Sequence, residues 1–172
     1  MLGLGLASCS AEAQLLGKPA KRAPLPKGIE LVFNHSDTSR YRSPITGQWR
    51  QGDDLEAFVL ASIQQAKREI LVAVQELSLP KVAEALVARH REGLTVKVVL
   101  ENTYSTPWSE ENPIGLPPHK RNRHHQLQAL GWGDAVAILQ RAGVPLIDDT
   151  ADGSAGSGLM HHFNQPTVLE WI

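Results

Sequence analysis

Apolar positions change their period along this chain, and the changes mark out its elements. Residues 29–33 (Ile-Glu-Leu-Val-Phe) are a short β-prone run ahead of a polar turn over residues 34–39, and they predict a first strand. Asp53 and Asp54 then offer a helix N-cap, with Glu56 three residues after Asp53. Leu55, Phe58, Val59, Ser62, Ile63 and Ala66 recur at helical spacing, which predicts an amphipathic helix to about residue 68. Residues 70–74 (Ile-Leu-Val-Ala-Val) are continuously apolar and too short for a helix, so they predict a strand buried on both faces. Pro80 suits a first helical turn, Val82, Ala83, Leu86, Val87 and His90 share a stripe, and Gly93 is a natural stop. A second buried strand is expected over residues 96–100. Residues 134–142 predict a helix closed by Gly143, and residues 144–147 a strand with Pro145 at its beginning.

Between the strand over residues 96–100 and the helix from residue 134 lie residues 101–133, with four prolines, two tryptophans (Trp108 and Trp132) and little periodicity. They read as a long loop, either a functional lid or an insertion. The two tryptophans suit closure over a core or approach to a lipid surface. Strand, helix, strand, helix, strand, long loop, helix and strand in that order mean an α/β domain with a largely parallel sheet and flanking helices.

The 172 residues suit one domain with a sizeable core, expected from residue 28 to residue 172. Ahead of it, residues 10–27 mix Pro, Ala and basic residues without period, which suits a tether. A formal net charge of −1 excludes a global basic field for nucleic acid, so attraction to phosphate has to be local. No apolar run approaches the roughly 20 residues that span a bilayer. The single cysteine, Cys9, excludes an internal disulfide and a multi-cysteine zinc site. Leu6-Ala7-Ser8-Cys9 is similar to a bacterial lipobox, in which the cysteine is lipidated. That likeness implies an exported, membrane-anchored lipoprotein or a periplasmic or extracellular protein, on the supposition that the true start lies upstream. A chance cysteine in a cytoplasmic protein is the other reading.

Candidate chemistry gathers after the strands. In open α/β sheets ligands bind beyond the carboxyl ends of the strands, and three predicted strands are followed there by Gln75-Glu76, Glu101-Asn102 and Asp148-Asp149. Convergence of Glu76, Glu101 and Asp148 would suit a metal-dependent phosphate enzyme, whereas acids at strand ends also serve as solvated caps. Residues 148–153 begin like a calcium loop, but Leu159 stands where the bidentate glutamate belongs. The glycine-rich residues 153–158 lack a P-loop ending. His119, His124 and His125 lie in a basic run with Lys120, Arg121 and Arg123, which is either a solvated loop or a phosphate-gripping patch for a lipid head group or nucleic acid. His161 and His162 follow the glycine-rich stretch, where a histidine can be a nucleophile or an acid/base group, or structural.

Leu159-Met160-His161-His162 resembles the opening of the phospholipase D superfamily motif, His-x-Lys followed by four residues and Asp. Flanking blocks are also similar to bacterial members: Phe33-Asn34-His35-Ser36, Gln51-Gly52-Asp53-Asp54-Leu55-Glu56, Val72-Ala73-Val74-Gln75-Glu76-Leu77 and Leu100-Glu101-Asn102-Thr103-Tyr104-Ser105. The resemblance covers about residues 28 to 162. It implies a phospholipase D-like fold and hydrolysis of a phosphodiester, in phospholipid or nucleic acid, through a phosphohistidine and without a cofactor. By the same match His161 is the catalytic histidine, and His162, Glu76 and Asn102 stand beside the substrate. Single-motif members pair their motifs in a homodimer.

The pattern stops after His162. Phe163 stands where the motif has lysine, no aspartate occupies the matching place, and no Gly-Ser-x-Asn segment or second motif follows. The loss resembles a frameshift or truncation and leaves a domain incomplete at its C-terminus. Loss of a charge that stabilises the transition state costs orders of magnitude in rate, so the expected activity is impaired. The competing expectations are a non-catalytic fragment or membrane-anchored binding module, and a metal-dependent phosphate enzyme.

Overall fold

The computed structural model describes residues 25–151. Cys9, His161 and His162 lie outside these residues, as do residues 10–24 of the expected tether. The chain divides between Leu31 and Val32. Residues 25–31 make a turn in which the Ile29 amide donates to the Pro26 carbonyl at 3.1 Å; Ile29 and Leu31 are exposed.

Residues 32–151 form a mixed α/β fold with a three-stranded parallel sheet and, among the described residues, four α-helices. Its elements are β1 (Arg40–Arg42), β2 (Trp49–Gln51), α1 (Leu55–Gln65), β3 (Glu69–Val74), α2 (Pro80–Arg91), β4 (Thr95–Leu100), α3 (Pro118–Ala129), α4 (Ala135–Arg141) and β5 (Leu146–Asp148). The sheet order is β3-β4-β5, with Ile70 opposite Val96 and Val99 opposite Ile147.

The strand expected over residues 29–33 does not form. The amide of Phe33 instead donates to the Asp53 carboxylate at 2.9 Å, and its carbonyl accepts from the Asp53 amide at 2.7 Å. This side-chain bond takes Asp53 away from capping, and Asp54 caps α1 by accepting from the Ala57 amide at 3.0 Å. Gly52 makes the crossing possible: its φ is +112°, and a Cβ there would lie 2.4 Å from the Asn34 carbonyl carbon and oxygen. The strands nearest this region are β1 and β2, an antiparallel hairpin with exposed Trp49. Its Arg-Tyr-Arg and Trp-Arg-Gln sequences carry little apolar signal.

The core lies on one side of the sheet. Ile63 of α1, Val82, Ala83, Leu86 and Val87 of α2, and Val136 and Leu139 of α4 pack with Val96, Val98 and Leu100 of β4. The four α2 residues are the stripe positions that the helical period predicts, whereas of the stripe expected in α1 only Ile63 is buried and Leu55 and Val59 are exposed. Burial of such side chains is worth about 1.5–3 kcal/mol each. β4 is central, and Val96, Val98, Val99 and Leu100 are all buried, as expected. β3 is not buried on both faces. Ile70, Val72 and Val74 pack against the core while Leu71, on the opposite face by the strand's two-residue alternation, is 42% exposed.

The long loop expected over residues 101–133 contains α3, which carries the basic run. Pro118 supplies the first turn and Gly131, at φ +62°, closes the last. The Gly131 amide donates to the Gln128 carbonyl at 2.9 Å and that of Trp132 to the Leu127 carbonyl at 3.2 Å, a paired closure that the left-handed glycine permits. α1 ends at Gln65, short of the expected residue 68: Ala66 has extended ψ, and the Arg89 guanidinium donates to its carbonyl.

Candidate functional site

The carboxyl ends of β3, β4 and β5 open onto one polar cluster, crossed by a strap of residues 101–117. The chain leaves β4 through a short turn in which the Glu101 carboxylate accepts from the Thr103 amide at 3.0 Å and its hydroxyl at 2.8 Å. The Asn102 amide donates to the buried Asp149 carboxylate at 2.9 Å, and the Asp149 amide to the Leu100 carbonyl at 3.0 Å. Asp148 accepts from the Thr150 amide at 2.9 Å and from the Ser105 hydroxyl at 3.3 Å. Further on, the amide and hydroxyl of Ser109 both donate to Asp134 at 2.8 Å, while the other Asp134 oxygen caps α4 through the Ala137 amide.

α3 closes the cluster from the side. Arg123 donates from Nε to Glu76 Oε1 at 2.7 Å, adds a second bond from Nη2, and lies over the Tyr104 ring with 5.7 Å to its centroid. One turn back, Lys120 Nζ donates to the Thr103 carbonyl at 2.8 Å and to Glu111 Oε1 at 3.1 Å. The second Glu111 oxygen accepts from Nε2 of His124, a residue only 3% exposed, at 2.9 Å. Trp108 meets the His124 imidazole edge-on at 5.7 Å between centroids. A single carboxylate, Glu111, therefore ties the strap to two residues of α3 at i and i+4.

These contacts decide what the strand-end acids do. Glu76 is held by Arg123, Glu101 folds back on its own turn, and Asp148 takes Ser105 and Thr150. Their carboxylates are committed separately, and among the described residues no group of three or more His, Cys, Asp or Glu is placed to hold a metal ion. The metal centre expected on Glu76, Glu101 and Asp148 is thus not formed by these residues. Nor is the basic run a solvated loop: Lys120, Arg123 and His124 face inward to carboxylates, while His119, Arg121 and His125 are exposed.

The cavity lined by Tyr104, Trp108, Glu111, Lys120, Arg123 and His124 measures about 10 Å³, room for about one water. The larger groove, about 500 Å³, runs past Ile45, Pro80, Lys81, Glu84, Leu130 and Trp132 and includes none of the strand-end acids. Trp108 thus closes on the buried imidazole, and Trp132 lines a groove.

Glu76 and Asn102, singled out from the sequence, both stand at this end of the sheet. The residues that sequence reasoning missed are Glu111 as a clamp and Arg123 as the partner of Glu76. The available signal was a Pro118 start and a Gly131 stop, with neither residue type between them. No helix of the described residues is long and apolar enough to cross a membrane. Comparison with known proteins finds no matching family model, no matching curated protein and no matching solved structure.

Proposed function

We propose that this chain carries a phospholipase D-type phosphodiesterase domain in which His161 is the nucleophile and whose activity is impaired. The observation that carries the reading is the polar cluster at the carboxyl ends of a parallel sheet, where open α/β folds take their ligands. β5 ends at that cluster with Asp148, and the Leu159-Met160-His161-His162 segment follows it in the sequence. Glu76 and Asn102, where the sequence resembles the superfamily, follow the carboxyl ends of β3 and β4, Glu76 paired with Arg123 and Asn102 bonded to Asp149.

The proposed chemistry is covalent. An imidazole nitrogen of His161 forms a bond to phosphorus as the P–O bond to the leaving alcohol breaks, and the departing oxygen takes a proton from an acid. Water then displaces the imidazole and releases the phosphomonoester, so one hard displacement becomes two easier ones. Extra negative charge on the phosphoryl oxygens needs a cation, and Phe163 occupies the lysine position of the motif. The rate is accordingly low, and the substrate is a phosphodiester of phospholipid or nucleic acid.

The test is hydrolysis of bis(p-nitrophenyl) phosphate by the purified chain in EDTA, beside His161→Ala. Slow hydrolysis that persists in EDTA and disappears in the variant supports the reading. Equal hydrolysis by the two proteins overturns it, and no hydrolysis by the folded chain overturns it in favour of a non-catalytic binding module.

A further inference from the structure

Residues 109–115 of the strap are exposed with one exception, Glu111, which turns inward. This stretch adds no apolar side chain to the core, and its middle is fastened by charge-assisted bonds. One Glu111 oxygen takes Lys120 Nζ at 3.1 Å and the other takes His124 Nε2 at 2.9 Å. A carboxylate oxygen only accepts, so both partners donate. Oxygens of a solute anion can replace such bonds one for one, which they cannot do for a buried apolar plug.

The two donors are also held without Glu111. Lys120 Nζ donates to the Thr103 carbonyl at 2.8 Å, and the buried His124 ring has Trp108 edge-on against it. Buried Leu127, a turn further along α3, pins the helix that carries them. Lifting residues 109–115 would therefore leave a ready seat for two oxygens of one anion. With Glu111 in place the cavity beside that seat has room for about one water, so the seat is closed to anything larger. A competing anion has to displace a tethered carboxylate, and the tether gives Glu111 a high effective concentration. A solute monocarboxylate matches the charge of Glu111 without its tether and loses. A phosphate brings up to two charges near neutral pH and further acceptor oxygens, which makes it the oxyanion able to take the seat.

We infer that Lys120 and His124 form a phosphate seat that Glu111 keeps filled, so that the strap is an autoinhibitory cover over the strand ends. The ligand class follows from the donors of the seat. The inference rests on the phosphodiesterase reading in one respect, since closing the seat would regulate that activity. Binding itself is read without turnover, so either can fail alone.

The experiment is isothermal titration of the full chain with inorganic phosphate, at an ionic strength held constant with sodium chloride. The parent is compared with Glu111→Ala, Glu111→Gln and the double variant Glu111→Gln with Lys120→Met, each checked for its fold by circular dichroism. E111A should bind phosphate about tenfold or more tightly than the parent, because the competing bonds to the two donors are gone. E111Q, which keeps an uncharged acceptor, should fall between them, and it decides the matter if E111A does not fold. Adding K120M should remove the gain, and acetate in place of phosphate should show none. Equal phosphate affinity in the parent and the folded Glu111 variants overturns the inference. So does a gain that K120M leaves intact, or one that acetate matches.

Discussion

Replacing Glu111 by alanine tests whether the strap is truly fastened across the strand ends. In the parent, Glu111 accepts from buried His124 at 2.9 Å and pairs with Lys120 at 3.1 Å, and the Glu111 and Lys120 side chains are each 17% exposed. Truncation leaves the imidazole N–H without its acceptor, which costs about 1–3 kcal/mol for a buried donor. A fully buried ion pair broken on one side costs about 3–5 kcal/mol. Lys120 keeps the Thr103 carbonyl and some water, so its share falls to about 1 kcal/mol. The sum is about 2–4 kcal/mol, large beside a total stability of about 5–15 kcal/mol. Glu111→Gln keeps an acceptor for His124 and loses only the charge, so it should cost about 1 kcal/mol. Urea unfolding followed by far-ultraviolet circular dichroism gives the difference, and amide exchange locates it. The strap and α3 should lose protection before β4. If E111A unfolds within about 0.5 kcal/mol of the parent and exchange over residues 101–129 is unchanged, the clamp contributes nothing and the reasoning fails.

Two other substitutions probe the framework. Gly52→Ala combines a left-handed backbone with a Cβ at 2.4 Å from the Asn34 carbonyl, and should cost about 2–4 kcal/mol in urea unfolding; a cost below about 1 kcal/mol would show that the crossing relaxes freely. Asp134→Ala removes both the α4 cap and the two Ser109 bonds, and should cost about 2–3 kcal/mol. Adding Ser109→Ala to it should then cost little more, and full additivity of the two would disprove their coupling. Phe163→Lys should raise phosphodiesterase rate by about tenfold or more if a cation at the motif's lysine position is what the site wants; an unchanged or lower rate would count against the motif alignment.

The elements that the sequence marks well are those in which a helical or strand period coincides with a local stop signal. α2 has a stripe from Val82 to Val87 between Pro80 and Gly93, and α4 runs from the Asp134 cap to Gly143. The misread elements are those whose inward faces are not apolar. α3 turns Lys120, Arg123 and His124 toward carboxylates, so hydrophobic periodicity is silent where ion pairs do the packing. Residues 29–33 err the other way: despite their β-branched and aromatic character they pair with no strand among the described residues, and Ile29, Leu31 and Phe33 are exposed. At the site, the acids were visible because they follow strands. Their distant partners were not: Glu76 meets Arg123 across 47 positions and Asp148 meets Ser105 across 43, while Glu101 turns back on Thr103 beside it.

The central claim is that His161 forms the covalent intermediate, and the most direct measurement is a search for that bond. The chain would be mixed with a phosphodiester in EDTA, quenched in alkali, digested, and its peptides weighed before and after mild acid. The account predicts an acid-labile phosphoryl adduct on the peptide holding His161, absent when that residue is alanine. Product formation with no adduct there, or with the same adduct in the alanine variant, would contradict it.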